Sequence, residues 1–361
     1  MGEPTVAVVV DQLRQRPTSG IATYSRGLLQ GLAAMGDTVP VTLVASRPPQ
    51  RGGDPLDAWG WPVRSSRLPG PALVRLWGAG VGRRLVAGTD VVHATSLAVP
   101  LGGGAPMAVM VHDLAFREVP DAFPASARRW HEAAFRRALS RAAALATPSE
   151  RSAAAVIDAG ASPDRVVVIP EGCDHLPLAD TDGASALLRS LGVTTPYLLS
   201  VSTLEPRKNL ARLVEAYQQA RDRLPEPWPL VVVGPQGWGP ALLPTPGVKL
   251  AGVVTDAVLA ALYAGARCLA YVPLLEGWGL PPVEAMAACT PVVASPMPST
   301  GGAALEVDPD DTEAIAAAVI LAAGDDRRRS ELVTAGLIRA RELTWEGAAR
   351  RHVEMWRRLA A

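Results

Sequence analysis

Short unbroken apolar runs alternate along this chain with longer stretches whose apolar positions recur every three or four residues. An apolar run without polar alternation suits a strand buried on both faces. A period of three to four suits a helix packed on one side. Their alternation predicts an α/β protein with parallel sheets wrapped by helices. In the first half the runs fall at residues 6–10, 39–45, 90–94, 107–111, 144–147 and 166–169. The turn-forming segment Gln15-Arg16-Pro17-Thr18-Ser19-Gly20 follows the first run and leads into a helix over about 21–35, with Leu28, Leu29 and Leu32 on one face. Residues 47–70 are dense in Pro, Gly and Arg, show no period and read as a surface excursion. The polar segment from 174 to about 190 reads as a linker. The pattern then restarts, with strands at 197–202, 230–233, 248–250, 268–272 and 292–294 and helices at 210–223, 256–265, 281–288 and 312–323. The chain therefore divides into doubly wound Rossmann-like units at 1–180 and 190–342, although no repeat links the halves. A tail helix over 343–361 carries Trp345, Ala348, Ala349, His352, Val353, Trp356 and Leu359 at three- and four-residue steps. Such a helix must pack on something, and periodicity does not say on what.

Composition narrows the class. Of 361 residues, 48% are apolar and 19% charged, which is ample for buried cores, and Lys+Arg balances Asp+Glu at 35 each. No net field then draws the protein to nucleic acid. Cys173, Cys268 and Cys289 are odd in number and far apart. They match neither a disulfide framework nor a zinc site and read as small buried hydrophobes in a reducing compartment. No apolar stretch reaches the ~18 residues of a membrane span, and the first run stops at Asp11 with no basic segment before it. The expectation is a cytoplasmic protein without a signal peptide. Arg128, Arg129, Arg136, Arg137 and Arg141 surround Trp130, Phe135 and Leu139 on a predicted helix. This is either a solvated basic face or a peripheral contact with the inner membrane surface. Lysine occurs only as Lys208 and Lys249.

Two blocks carry candidate chemistry. Glu276-Gly277-Trp278-Gly279-Leu280-Pro281-Pro282-Val283-Glu284 follows a predicted strand and opens a helix. Proline suits a first helical turn, and glycine lets a ligand approach the backbone. A helix N-terminus attracts anions, while the two flanking carboxylates accept from hydroxyls, so the ligand expected is one with both phosphate and polyol groups. Ser200-Val201-Ser202-Thr203-Leu204-Glu205-Pro206-Arg207-Lys208-Asn209 follows the first strand of the second half, where strand ends face a crevice. Arg207 and Lys208 there could neutralise a diphosphate. As mere solvated charges they would be disfavoured at a helix start by the macrodipole.

With Val231-Val232-Val233-Gly234-Pro235-Gln236-Gly237-Trp238 and Leu262-Tyr263-Ala264-Gly265-Ala266, these blocks resemble the family 4 retaining glycosyltransferases of GT-B fold, mannosyltransferase-like branch, whose main signature is the Glu-x7-Glu spacing of Glu276 and Glu284. Ser19-Gly20-Ile21, His112-Asp113-Leu114, Thr147-Pro148-Ser149 and Pro170-Glu171-Gly172-Cys173-Asp174 extend the resemblance over nearly the whole chain. It implies two Rossmann-like domains facing across a cleft, acceptor on the first and donor on the second, with the tail helix returning to the first. It also implies transfer of a sugar from a nucleotide diphosphate donor, first choice GDP-mannose, to a hydroxyl of a glycan, a lipid-linked acceptor or a small molecule. No cofactor and no metal are implied, because side chains take the metal's role. By the same resemblance Glu284 would hold the donor ribose and Glu276 would sit at the transferred sugar. Gly277, Trp278, Gly279 and Leu280 would line the sugar and phosphate, and Arg207 and Lys208 would stabilise the leaving diphosphate. His112 would lie near the anomeric centre, and Gly20 would let the first loop close on the diphosphate.

The chain departs from the family pattern in places. Ser19-Gly20 replaces paired glycines, and Ser202 and Thr203 stand where many members carry an arginine. Cys289 replaces a helix-ending glycine, which implies strain or a different helix exit. After Ser295 the usual loop glutamate is missing. Asp180-x-Asp182 and Asp308-x-Asp310 read as solvated, and His93 as structural. The competing readings are another GT-B-like sugar-nucleotide enzyme, a non-catalytic sugar-nucleotide-binding protein, and an NAD oxidoreductase. The last is disfavoured because no Gly-x-Gly-x-x-Gly opens a helix in the first 40 residues.

Overall fold

A computed structural model describes residues 2–15, 19–36, 39–50, 52–77, 83–99 and 104–361. Arg16, Pro17 and Thr18 of the expected first turn lie outside the described residues. The chain divides into two compact units, Met1–Arg117 with Ala125–His175 and Thr344–Ala361, and Glu118–Pro124 with Leu176–Leu343. The units differ from the expected bounds of 1–180 and 190–342: residues 118–124 and 176–180 group with the second unit, where the Trp238 indole N–H donates to the Ala122 carbonyl at 2.9 Å.

In the first unit, strands β1 (Val6–Val9), β2 (Val41–Ala45), β3 (Val63–Ser65), β4 (Val91–Ala94), β5 (Met107–Met110), β6 (Ala144–Thr147) and β7 (Val166–Val168) form one parallel sheet. Its order is β3-β2-β1-β4-β5-β6-β7. β1, β4, β5 and β6 are buried throughout, which is why they read as unbroken apolar runs. Helices α1 (Gly20–Ala34), α2 (Gly70–Trp77), α3 (Ala115–Glu118), α4 (Ala125–Arg141) and α5 (Glu150–Asp158) connect them. Residues 47–70 are more than a surface excursion, since they contain the edge strand β3 and lead into α2. Three residues are too few to show a strand period.

In the second unit β8 (Leu198–Val201), β9 (Leu230–Val233), β10 (Val248–Gly252), β11 (Cys268–Tyr271), β12 (Val292–Ala294) and β13 (Leu305–Glu306) pair in parallel in the order β10-β9-β8-β11-β12-β13. Around them run α6 (Thr181–Ser190), α7 (Leu210–Arg221), α8 (Asp256–Gly265), α9 (Leu280–Ala287), α10 (Thr312–Gly324) and α11 (Asp326–Glu342). Leu213, Tyr217, Leu230, Val232, Ile315 and Val319 form much of the core on the α7 and α10 side. The expected linker is in fact α6. Asp180 caps it by accepting the Gly183 N–H at 2.9 Å, and its apolar positions pack on α8. Asp308 closes a local turn on the Asp310 N–H at 2.8 Å, and Asp310 pairs with Arg212 at 3.1 Å.

The tail helix α12 (Trp345–Ala360) packs on α1 in the first unit, as the resemblance implied. The approach is close because α1 presents Gly27 and Gly31. A Cβ at Gly27 would lie 2.0 Å from the Trp345 ring, and one at Gly31 would lie 2.1 Å from the Trp345 carbonyl oxygen. Tyr24 and His352 meet inside at 2.7 Å. His352 Nδ1 lies 2.8 Å from the Ala348 carbonyl, which can only accept, so Nε2 receives the Tyr24 hydroxyl hydrogen. Cys173 and Cys268 are buried as expected, but Cys289 is exposed. No helix among the described residues is long and apolar enough to cross a membrane.

Candidate active site

β8 and β11 are neighbours where the strand order of the second unit reverses. In an open parallel sheet such a reversal leaves a crevice beyond the C-terminal strand ends. Two segments emerge there. After β8 the chain makes a single 3-10 turn, Pro206–Lys208, and ends it at Asn209 with φ 57, a left-handed conformation that asparagine tolerates. The Asn209 amide donates to the carbonyls of Val272 at 3.1 Å and Pro309 at 2.8 Å, which fixes the turn against the exit of β11. Arg207 and Lys208 are thereby aimed at Glu276, which follows β11.

Glu276 is the centre of the cluster. Its Oε1 accepts from Lys208 Nζ and from the Tyr271 hydroxyl at 2.8 Å, and lies 3.2 Å from Arg207 Nη1. Lys208 Nζ also donates to the Tyr271 oxygen at 3.0 Å. Arg207 donates to the Leu275 carbonyl at 3.0 Å and to Glu205 at 3.2 Å. Burial would push the Glu276 carboxyl up. The charges of Arg207 and Lys208, with the hydrogen bonds from Lys208 and Tyr271, outweigh it and hold the group at about 2. Burial, reinforced by the Glu276 charge, keeps the Tyr271 phenol well above its ordinary value. Burial also raises Glu205, against the pull of Arg207 and Lys208. The macrodipole at the start of α7 disfavours Arg207 and Lys208 as mere solvated charges, and within the chain they pair with Glu276 and, for Arg207, also with Glu205.

Beyond Glu276 the chain turns sharply. Gly279 has φ 98, and a Cβ there would lie 2.4 Å from Met297 Sδ. Both conditions require glycine. α9 then opens with Leu280, Pro281 and Pro282. The two prolines carry no N–H, so the helix start itself offers fewer donors than expected, and the amides that remain belong to the turn. Among the described residues the N–H groups of Trp278, Gly279 and Leu280 have no hydrogen-bond partner. The buried Trp278 Nε1, Ser202 Oγ and Ser299 Oγ have none either. Such a concentration of unmet polar groups beside two cations calls for a polar ligand. Glu284 sits further along α9, buried, and accepts from the Tyr263 hydroxyl at 2.7 Å. Burial, then the Glu284 charge, raises the Tyr263 phenol well above its ordinary value.

His112 belongs to the first unit, just beyond β5. Its Nδ1 lies 3.1 Å from Glu171 Oε1 and its Nε2 lies 3.0 Å from the Thr95 carbonyl. Both partners are acceptors, an arrangement that favours the protonated ring, whose two N–H groups can donate to both. Burial opposes this charge, but Glu171 and the Thr95 carbonyl overcome it and raise the pKa. In its protonated form His112 offers positive charge held by Glu171 and the Thr95 carbonyl. Gly20 is also placed differently from expectation. It is the first residue of α1, not part of a loop, and a Cβ there would meet nothing within 4 Å. The fold itself does not require glycine at that position. His93 is fully buried, as expected of a structural residue.

Tyr271, Tyr263, Glu171 and Ser299 were not singled out from the sequence. Tyr263 and Glu171 sat inside quoted motifs, and Tyr271 ends the strand before Glu276, but an isolated tyrosine or serine carries no spacing signal. Among the described residues no group of three His, Cys, Asp or Glu is placed to hold a metal ion.

Comparison with known proteins identifies the family. Residues 18–175 match the family described as Glycosyltransferase Family 4, and residues 195–325 that described as Glycosyl transferases group 1. The O-antigen chain mannosyltransferase B of Escherichia coli is 30% identical over 263 residues, 69% of this chain and 69% of that protein. The chain belongs to the family 4 glycosyltransferases. The MMP alpha-(1->4)-mannosyltransferase of Mycolicibacterium hassiacum is 27% identical with 95% of both chains covered. Among solved structures, this glycosyltransferase is similar to a sucrose-phosphate synthase of Thermosynechococcus elongatus, with TM-score 0.75, 20% identity and 99% of both chains covered. It is also similar to Anabaena HepE, crystallised with UDP and glucose, with TM-score 0.73, 18% identity, 98% of this chain and 99% of that one. Both likenesses place its two parallel-sheet units in the GT-B architecture.

Proposed function

We propose that this glycosyltransferase moves a mannosyl group from GDP-mannose to a hydroxyl of a glycan in polysaccharide biosynthesis, with retention at the anomeric carbon and without a metal ion. The observation that carries the reading is the Lys208–Glu276–Arg207 cluster beside the unpaired amides of Trp278, Gly279 and Leu280. The reading of a mannosyl group and a glycan is supported by the two relatives described above, both named as mannosyltransferases and one as acting on an O-antigen chain.

In the reaction the bond between the anomeric carbon and the diphosphate oxygen breaks, and the oxygen keeps the electron pair. The acceptor oxygen bonds to the same face of that carbon, and its proton passes to the departing phosphate. Charge grows on the diphosphate, where Lys208, Arg207 and the turn amides would meet it. Those two cations supply the positive charge that a metal would otherwise bring. Glu276 would accept from hydroxyls of the transferred sugar and Glu284 from the ribose, with Gly20 at the diphosphate and His112 adding charge near the anomeric carbon. Two hydrogen bonds, from Lys208 and Tyr271, and the charge of Arg207 hold one oxygen of the Glu276 carboxylate. That makes it a poor nucleophile and favours front-face transfer over a covalent intermediate.

The test combines a thermal-shift comparison of GDP-mannose with UDP-glucose and NMR of the product's anomeric configuration, with and without EDTA. A ligand that binds the folded state raises its stability with ln(1 + [L]/Kd). We expect a larger shift with GDP-mannose, a retained anomer and no effect of chelation. A shift with UDP-glucose alone, an inverted anomer, or loss of turnover with EDTA would each overturn the corresponding part.

A further inference from the structure

Among the described residues of the first unit two carboxylates are buried, Asp11 and Glu171. Asp11 has a local task, accepting the Ser46 N–H at 2.8 Å and the Gln15 amide at 3.1 Å. Glu171 has no such task. Its carboxylate makes one hydrogen bond among the described residues, to His112 Nδ1 at 3.1 Å. Taking a carboxylate out of water is expensive, and a neutral amide would accept the same N–H at lower cost. What the carboxylate adds is negative charge.

The backbone fixes where that charge sits. Gly172 lies against the start of α12, where a Cβ would come 2.3 Å from the Trp345 nitrogen. Asp174 accepts the Trp345 N–H at 2.8 Å, and the Trp345 indole N–H donates to His175 at 3.1 Å. The segment 171–175 is therefore pinned to α12, which keeps the carboxylate at the ring. The ring is held on other sides too. Its Nε2 faces the Thr95 carbonyl at 3.0 Å, the Tyr24 ring packs edge-to-face with centroids 4.8 Å apart, and the His112 carbonyl accepts the Ser152 hydroxyl at 3.0 Å. Of the titratable groups around it, Glu171 and Asp113 favour a positive ring, while burial keeps Tyr24, His93 and His352 neutral. The His112 side chain is 21% exposed and that of Glu171 4%. The ring can meet a ligand, whereas the carboxylate behind it acts only through the ring.

Given the part assigned to His112 in the transfer reaction, on which this rests, we propose that Glu171 is a positioning residue. It orients the His112 ring and supplies the negative charge that keeps the ring cationic, without touching the sugar. A charge held in place beforehand needs no rearrangement when the leaving group develops its own.

Glu171→Gln tests this, because the amide oxygen still accepts from Nδ1–H while the charge is gone. Two readouts are taken on the full chain. One is the titration of the His112 ring, followed by NMR of labelled histidines and assigned by its loss in His112→Asn. The other is the pH profile of GDP release from GDP-mannose with methyl α-mannoside as acceptor. In the unaltered chain turnover should fall as pH rises through the His112 titration. Glu171→Gln should move both the titration and this fall to lower pH by about one unit or more, the scale for losing one close opposite charge. It should lower kcat roughly tenfold with KM for GDP-mannose unchanged, less than the ~10²–10³-fold of a group that meets the developing charge directly. Glu171→Asp, which keeps the charge, should recover the profile and part of kcat. An unmoved ring titration, a shifted titration with unaltered turnover, or equal losses in both variants with the unaltered chain's pH profile would overturn the inference. The titration needs no substrate. It therefore decides whether Glu171 holds the charge even where GDP-mannose is not turned over, a result that would count against the donor reading instead.

Discussion

Lys208 reaches Glu276 and the Tyr271 oxygen with one ammonium group, a compact point charge that a planar guanidinium would not reproduce. Lys208→Ala should lower kcat by ~10²–10³-fold, the scale for removing one preorganised electrostatic group, and steady-state kinetics showing near-normal turnover would remove it from the site. Glu284→Ala should act differently. Its carboxylate lies on α9 with Tyr263 behind it, so the expected loss is in nucleotide-sugar affinity, read by calorimetry. Cys289 shows the cost of a departure from the family pattern. It follows α9 with φ 61, a left-handed conformation without glycine's freedom, as its sequence position implied. Cys289→Gly should raise stability by about 1 kcal/mol in chemical denaturation, and a destabilised variant would show that the side chain packs in a compensating way.

At the level of elements, the contact of α1 with α12 depends on missing side chains. The positions blocked at Gly31 and Gly172 face backbone atoms of Trp345, which cannot rotate away as a flexible side chain could. Gly31→Ala should therefore cost about 1–3 kcal/mol or more of first-unit stability, measured by denaturant unfolding, while Gly20→Ala, with open space at its Cβ, should cost far less. The period of α12 was legible because Trp345, Ala349, Val353 and Trp356 fall on one buried stripe. Its packing partner was not, since the glycines that admit it lie on α1. α6 was mistaken for a linker because its composition is polar, and the cap at Asp180 went unread. β3 escaped notice because Val63, Arg64 and Ser65 show no alternation on so short a strand.

The molecule as a whole carries opposing responses to pH. Burial holds His352 at about 4 and His93 well below its ordinary value, so both are neutral in the folded first unit. Below the unfolded histidine value of about 6.5 the unfolded chain takes up protons that these groups refuse, and their contribution to stability falls steadily toward pH 4. His112 works in the opposite sense. Its raised pKa adds stability that is fully present below about 6.5 and is lost as pH rises through the folded value. In the second unit Glu276 contributes above its ordinary value of 4.5 and loses that contribution as pH falls toward about 2. The stability advantage of the unaltered chain over His352→Gln should therefore shrink between pH 6.5 and pH 4 in thermal unfolding, and a constant difference would mean that His352 is already protonated when folded.

The α/β alternation with most of its strands, the Glu-x7-Glu block and the basic pair before α7 could be read from the chain by itself, because period, turn chemistry and motif spacing are local properties. Only the tertiary structure brought Lys208 onto Glu276 across 68 residues, with Tyr271 bridging them. It alone showed His112 held between the Thr95 carbonyl and the Glu171 carboxylate. Charge and protonation depend on distances through space, which the spacing of residues along a chain does not encode.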